Sequence, residues 1–242
     1  MKLQVKNLSV TFEHKRILEN LNLTVRSGEF VALIGPSGCG KSTLLNILAG
    51  VLSPECGEIY VDGSPVTGVS SHFAYMPQSD LILPWKTILD NVTLYGTLHG
   101  KKQEARERAL REFPVFGLQG YEKAYPHELS GGMRQRAAFL RTALCSADIM
   151  LLDEPFGALD VITLNDMQDC LLKLRRELGR TTLLVTHDID EALYLADRIV
   201  VLGGSPACVT REIDLTGIEK SRDWLYEQSE LRKEIFNILR HD

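Results

Sequence analysis

Apolar and polar residues alternate with a period of two along Leu3–Val10 and again along Leu21–Val25, which predicts half-buried strands. Ser27-Gly28 supplies a turn, and the next five residues, Phe30-Val31-Ala32-Leu33-Ile34, are all apolar. Such a run is expected of a strand covered on both faces in a parallel sheet. The same character returns at Ile149-Met150-Leu151-Leu152, Thr182-Leu183-Leu184-Val185-Thr186 and Arg198-Ile199-Val200-Val201-Leu202. A helix is predicted from about Lys41 to Ala49, with Gly50 near its end, and another from about Thr163 to Leu178, closed by Gly179. Between Leu81 and about Ala143 strand patterns vanish, and Lys101–Arg111 reads as a charged, solvated helix. Near the end, Leu231, Ile235, Ile238 and Leu239 fall on one helical face, predicting an amphipathic helix that packs on the core. The pattern implies an α/β core (1–80 and 144–210), an inserted helical region (about 81–143) and a helical tail (211–242).

Bulk properties narrow the partners. Of 242 residues, 44% are hydrophobic and 24% charged, ordinary values for a globular chain. Acids outnumber bases 32 to 27, which argues against a broad nucleic-acid surface. No stretch approaches about 18 consecutive apolar residues, and Met1-Lys2-Leu3-Gln4-Val5 does not begin a signal peptide, so a membrane role is expected to run through a partner. Five scattered cysteines without C-x-x-C spacing read as free thiols in a reducing compartment.

The predicted strand 30–34 leads straight into Gly35-Pro36-Ser37-Gly38-Cys39-Gly40-Lys41-Ser42, which fits G-x-x-x-x-G-K-[ST] and opens a predicted helix. That context makes a phosphate cradle: backbone N–H groups at a helix N-terminus converge on an anion. Gly35, Gly38 and Gly40 let the chain wrap closely. Lys41 is expected to reach the β- and γ-phosphates of a triphosphate, Ser42 to ligate Mg²⁺, and Thr43 to bond the α-phosphate. Asp153 and Glu154 close the strand that starts at Ile149, at the sheet edge where such folds hold ligands. Asp153 suits the Mg²⁺ shell, and Glu154, turning off the strand end, can polarise an attacking water.

Leu129-Ser130-Gly131-Gly132-Met133-Arg134-Gln135-Arg136 lies between these two motifs. The three together resemble the ATP-binding subunit of ABC transporters, along almost the whole chain. The resemblance implies a P-loop NTPase core, RecA-like, with an N-terminal antiparallel β subdomain and an inserted ABC helical subdomain. It makes Glu154 the catalytic base and His187, of six histidines alone in following a predicted strand end, the residue that holds water and base in register. It makes Gln78 a Mg²⁺ contact linking core to insertion, and Phe12 the aromatic that stacks on adenine. Ser130, Gly131 and Gly132 then bind ATP in trans, in a head-to-tail homodimer with two equivalent sites. Gly157-Ala158-Leu159-Asp160 resembles the loop crossing to the partner, with Asp160 at the interface. Leu83-Pro84-Trp85 with Thr87 and Asp90-Asn91-Val92 resembles the importer subfamily for nitrate, sulfonates, taurine and thiamine-precursor pyrimidines. The permease is expected to dock near Gln78–Trp85, with Trp85 as an anchor or as a core aromatic, and an extracytoplasmic solute-binding protein to complete the system. This implies a peripheral protein on the cytoplasmic face of the membrane. The wording Met76-Pro77-Gln78-Ser79-Asp80 points to a thiamine-precursor pyrimidine, the alternatives being a nitrate, sulfonate or taurine-type system and a soluble non-transport ABC ATPase.

Overall fold

The computed structural model of the chain describes residues 1–157 and 159–241. Ala158, in the loop expected to cross to a partner, lies outside the described residues. The described residues form two sheets and a set of helices. In chain order these are β1 (Leu3–Phe12), β2 (Lys15–Val25), β3 (Phe30–Ile34), α1 (Lys41–Leu48), β4 (Cys56–Val61), β5 (Ser64–Pro65) and β6 (Phe73–Met76). The helices α2 (Ile88–Val92), α3 (Leu94–Leu98), α4 (Lys102–Glu112) and α5 (Gly131–Ala143) come next. The chain then runs through β7 (Ile149–Asp153), α6 (Val161–Leu178), β8 (Thr181–Val185), α7 (Ile189–Leu195), β9 (Arg198–Gly203) and β10 (Cys208–Asp214). It ends in α8 (Arg222–Glu227) and α9 (Ser229–His241).

The first sheet is antiparallel, in the order β2-β1-β4-β5, and the second runs β10-β9-β3-β8-β7-β6. From β9 to β6 the second sheet is parallel, and β10 adds an antiparallel edge. Its central strands are buried at every position, and the two faces serve different cores. Val31, Leu33, Leu151, Leu183 and Val200 pack with α1 and the first sheet; Phe30, Ala32, Ile34, Leu152, Leu184 and Ile199 pack with the helices of the other side. Burial on both faces is why these strands carry unbroken apolar runs. The parallel strands all end at the same edge, and β3, β6, β7 and β8 there release the four loops that build the site.

Several elements were not visible as pattern. The hairpin from β1 to β2 turns on Glu13 and His14, both at positive φ (46° and 66°), with Phe12 paired to Lys15. β10 runs through Asp214, so the sheet continues beyond the expected start of the tail at 211. After it, Leu231, Ile235, Ile238 and Leu239 of α9 pack on the core as the spacing predicts.

Candidate active site

β3 delivers the chain to Gly35, buried against β9. A Cβ here would sit 2.4 Å from the Leu202 carbonyl oxygen and 2.9 Å from Cys39 Sγ. The requirement for glycine is therefore contact with the neighbouring strand, inside the protein. Gly38 has open space around it but a φ of 76°, and Gly40 combines a φ of 113° with a Cβ position 2.7 Å from Leu18 Cδ2. These two are needed for backbone conformation, which L side chains adopt at a cost. α1 then begins at Lys41 with no side-chain cap and no acid in its first turn. Its exposed N–H groups and dipole are thus left available to an anion.

Lys41 is 6% exposed, and its ammonium donates to the carbonyls of Gly35 (2.8 Å) and Pro36 (2.9 Å). Next to it Ser42 Oγ donates to Asp153 Oδ1 at 3.0 Å. Asp153 is 2% exposed, and burial, with the nearby Glu154 charge, holds its carboxyl above the usual carboxylate range. Ser42 and Lys41 oppose that shift without cancelling it. A buried carboxylate short of positive charge, beside a hydroxyl and near the Gln78 amide, is a donor set of hard oxygens suited to Mg²⁺. Magnesium at such sites takes one or two carboxylates and completes its shell with waters and substrate phosphates. The described residues contain no cluster of three or more acids, histidines or cysteines able to hold a metal alone.

β7 ends at Asp153, and Glu154 leaves it with φ 47°, its N–H donating to Val185 O at 2.9 Å. A left-handed conformation at a glutamate costs about 1–3 kcal/mol and is a feature of functional sites. Here it aims the carboxylate into the cleft. Glu154 Oε2 accepts from Gln78 Nε2 at 3.0 Å, and Oε1 lies 3.4 Å from His187 Nδ1. Three strand ends thus converge on one carboxylate. Ser37, Gly38, Gly40, Lys41, Ser42, Thr43, Gln78, Glu154 and His187 line a single cleft of about 470 Å³. An adjoining hollow brings Asp153, Ser42 and Gln78 together with Tyr75 and Asn46.

Other expected residues lie elsewhere. Phe12 is 56% exposed at the tip of the β1–β2 hairpin and does not line this cleft. Ser130, Gly131 and Gly132 form the N-terminus of α5, also outside it, with Ser130 Oγ capping the helix by accepting from Met133 N–H (3.3 Å). Asp160 caps α6, its carboxylate accepting from Thr163 N–H (3.1 Å). Trp85 is 71% exposed, so the core-aromatic reading fails. Within the loop, burial pushes the Cys39 thiol pKa up, and Lys41, 4.0 Å away, only moderates this.

The connections behind the site had no sequence signal. Arg134 Nε donates to Asp80 Oδ2 (3.1 Å), and Arg141 donates to the carbonyls of Asp80 (2.7 Å) and Leu81 (2.8 Å). Asn91, fully buried, accepts from Leu83 N–H (2.7 Å) and donates to the carbonyls of Leu83, Lys86 and Thr87. Thr87 caps α2. The Thr87…Asp90-Asn91 wording therefore encodes the scaffold that holds the segment from Gln78 to Trp85. Gln135, 6% exposed, donates to Pro155 O at 3.1 Å, joining α5 to the residue after Glu154.

Comparison with known proteins agrees with this geometry. The family model described as ABC transporter matches residues 18–157. An uncharacterized ABC transporter ATP-binding protein of Methanocaldococcus jannaschii is 43% identical, the match covering 100% of this chain and 92% of that protein. The taurine import ATP-binding protein TauB of Escherichia coli O157:H7 is 41% identical over 88% of this chain and 84% of its own. Among solved structures, a dimeric ATP-binding cassette in a post-hydrolysis state with ADP and Pi superposes with a TM-score of 0.79 at 33% identity, covering 89% of this chain and 100% of that one. The chain belongs to the ABC transporter family and is an ATP-binding P-loop ATPase.

Proposed function

We propose that the chain is the ATP-hydrolysing subunit of an importer, working as a head-to-tail homodimer beneath a separate membrane permease. The observation that carries the hydrolytic reading is the convergence of Gln78 and His187 on the Glu154 carboxylate beside the phosphate loop. In this reading Gly38, Gly40, Lys41, Ser42 and Thr43 hold the phosphates, with Gly35, Pro36, Ser37 and Cys39 shaping the loop. Glu154 accepts a proton from the attacking water, His187 fixes the geometry of water and carboxylate, and Gln78 steadies the other carboxylate oxygen. Ser42, Asp153 and Gln78 would hold Mg²⁺, which would supply positive charge against the phosphates. Each remaining step rests on protein groups: Lys41 exchanges two carbonyl partners for phosphate oxygens, and the α1 N–H groups meet them without reorganising.

The positions of exposed Ser130 and Gly131 and half-buried Gly132, outside the chain's own cleft, support a role against the partner's ATP, as does the dimeric state of the cassette named above. Phe12, at an exposed hairpin tip, suits stacking on adenine, and Asp160 suits the interface. Trp85, exposed on a segment pinned by Asn91, Arg134 and Arg141, suits docking of the permease. No helix among the described residues is long and apolar enough to cross a membrane, so a permease would supply that function, with an extracytoplasmic solute-binding protein delivering the solute. The chain would sit peripherally on the cytoplasmic face. For the solute, the likeness to a taurine import protein favours a nitrate, sulfonate or taurine-type system. The pyrimidine expectation drawn from Met76–Asp80 gains nothing from the relatives compared. Glu154→Gln tests the reading: the amide preserves shape but accepts no proton, so ATP binding and a chromatographically stable ATP-bound dimer are expected with turnover reduced at least a hundredfold. Turnover near that of the unmodified chain would remove Glu154 from its role.

A further inference from the structure

The His187 side chain is 66% exposed, so packing does not fix its ring, and its aim depends on the backbone of 186–188. That backbone is held by an unusual arrangement. Thr186, 2% exposed, bonds its N–H to Leu33 O on β3 (3.2 Å), one residue before the end of the strand that feeds the phosphate loop. Its hydroxyl accepts from Asp188 N–H at 3.0 Å and donates to Glu191 Oε2 at 2.6 Å. Asp188 in turn accepts from the N–H groups of Asp190 (2.7 Å) and Glu191 (3.3 Å), which is sufficient to start α7. Glu191 is therefore not needed to cap the helix. Yet it is a carboxyl only 7% exposed, on a helix whose neighbouring residues Ala192, Leu193 and Leu195 are buried and apolar. An aliphatic side chain would be cheaper to bury there.

We infer that Glu191, acting through the Thr186 hydroxyl, is a positioning residue for His187. A hydroxyl has one hydrogen, and its rotor is free unless an acceptor claims that hydrogen. Glu191 claims it, which turns a lone pair of Thr186 toward Asp188 N–H and closes the chain around His187 into one conformation. The Nδ1 of His187 is then presented to Glu154 at 3.4 Å by a loop with little rotational freedom. The inference rests on the role given to His187 above.

The test measures Mg-ATP turnover and KM for ATP on the full chain, with His187→Ala alongside. Glu191→Ala and Thr186→Val are expected to lower kcat about tenfold or more, since small misplacements of a positioning group are costly, while KM stays within about twofold. Glu191→Gln and Thr186→Ser, which keep an acceptor and a hydroxyl, are expected to restore kcat to within about threefold. In a His187→Ala background, Glu191→Ala should add almost nothing, because residues acting through one another are non-additive. If His187→Ala itself leaves kcat unchanged, the role of His187 fails. If it lowers kcat but Glu191→Ala and Thr186→Val do not, or if the double variant shows the full product of both losses, the inference about Glu191 is overturned. Should Glu191→Ala melt below the assay temperature, the Thr186→Val and Thr186→Ser pair decides alone.

Discussion

Glu191 also gives the sharpest stability prediction. Burial, with Asp188 and Glu154 nearby, raises its pKa from an ordinary 4.5 to about 7, against the opposing Thr186 hydroxyl and His187. Between those two values the unfolded chain has released this proton and the folded chain has kept it. The folded state binds more protons there, so stability falls as pH rises through the window and the loss is complete above about pH 7. At about 1.4 kcal/mol per pH unit the displacement is on the order of 3 kcal/mol. Glu191→Gln removes the titration while its amide oxygen can still accept from Thr186. For a domain of this size about 1 kcal/mol moves Tm by roughly 2–4 °C. The variant's Tm should therefore gain on the unmodified chain by roughly 6–12 °C between pH 5 and pH 8 in nucleotide-free buffer. Any cost of the amide's poorer fit shifts both ends of the comparison equally, so the slope is the readout. Parallel Tm profiles across that range would refute the reasoning.

Lys41→Ala should weaken ATP binding by about 2 kcal/mol or more, roughly thirtyfold by titration calorimetry, because the charge meets the phosphates in the ground state. Cys39, half-buried with its thiol pushed up, should react with a maleimide more slowly at neutral pH than exposed Cys56 and Cys208, and Mg-ATP should slow it further; peptide mapping that finds Cys39 labelled first would reverse this. Trp85→Ala, at a 71% exposed position, should leave Tm within a degree or two and spare ATPase while weakening co-purification with a permease by roughly thirtyfold, and a parallel fall of Tm and ATPase would restore the core reading.

What the sequence made legible was whatever one local rule dictates. Phe30–Ile34 is apolar throughout because both faces are covered, and the glycine-lysine-serine loop follows because an anion needs a glycine-shaped helix start. β10 was illegible for the opposite reason: an edge strand carrying Thr210, Arg211 and Glu212, exposed or half-exposed along its length, has no period to read. The β1–β2 turn escaped notice because Glu13 and His14 take positive φ without the Asn-Gly or Asp-Gly wording that normally announces it. In the site, Lys41, Ser42, Asp153, Glu154 and His187 were legible by motif. Asn91, Arg134, Gln135 and Arg141 were not, because their meaning lies in backbone carbonyls and carboxylates distant along the chain.

Those long-range bonds have a mechanical consequence. α5 is capped by Ser130 and, one turn on, holds Asp80 through Arg134 and Pro155 through Gln135. Asp80 lies two residues after Gln78, and Pro155 directly follows Glu154. The helix whose N-terminus stands outside the cleft is thus bonded to both flanks of the Gln78–Glu154 pair inside it. Helices are stiff over one turn, and the buried bond of Gln135 to Pro155 is costly to leave unmade, so a shift of α5 against the core is resisted at the residue next to Glu154. Arg141, on the same helix, grips the carbonyls of Asp80 and Leu81 and fixes Leu81 at a φ of 44°, a strained conformation for a bulky residue. The segment that ends in exposed Trp85 is therefore tied to the same helix as the residue next to Glu154. Trp85, Ser130 and Glu154 thus lie on segments joined through the hydrogen bonds of a single helix.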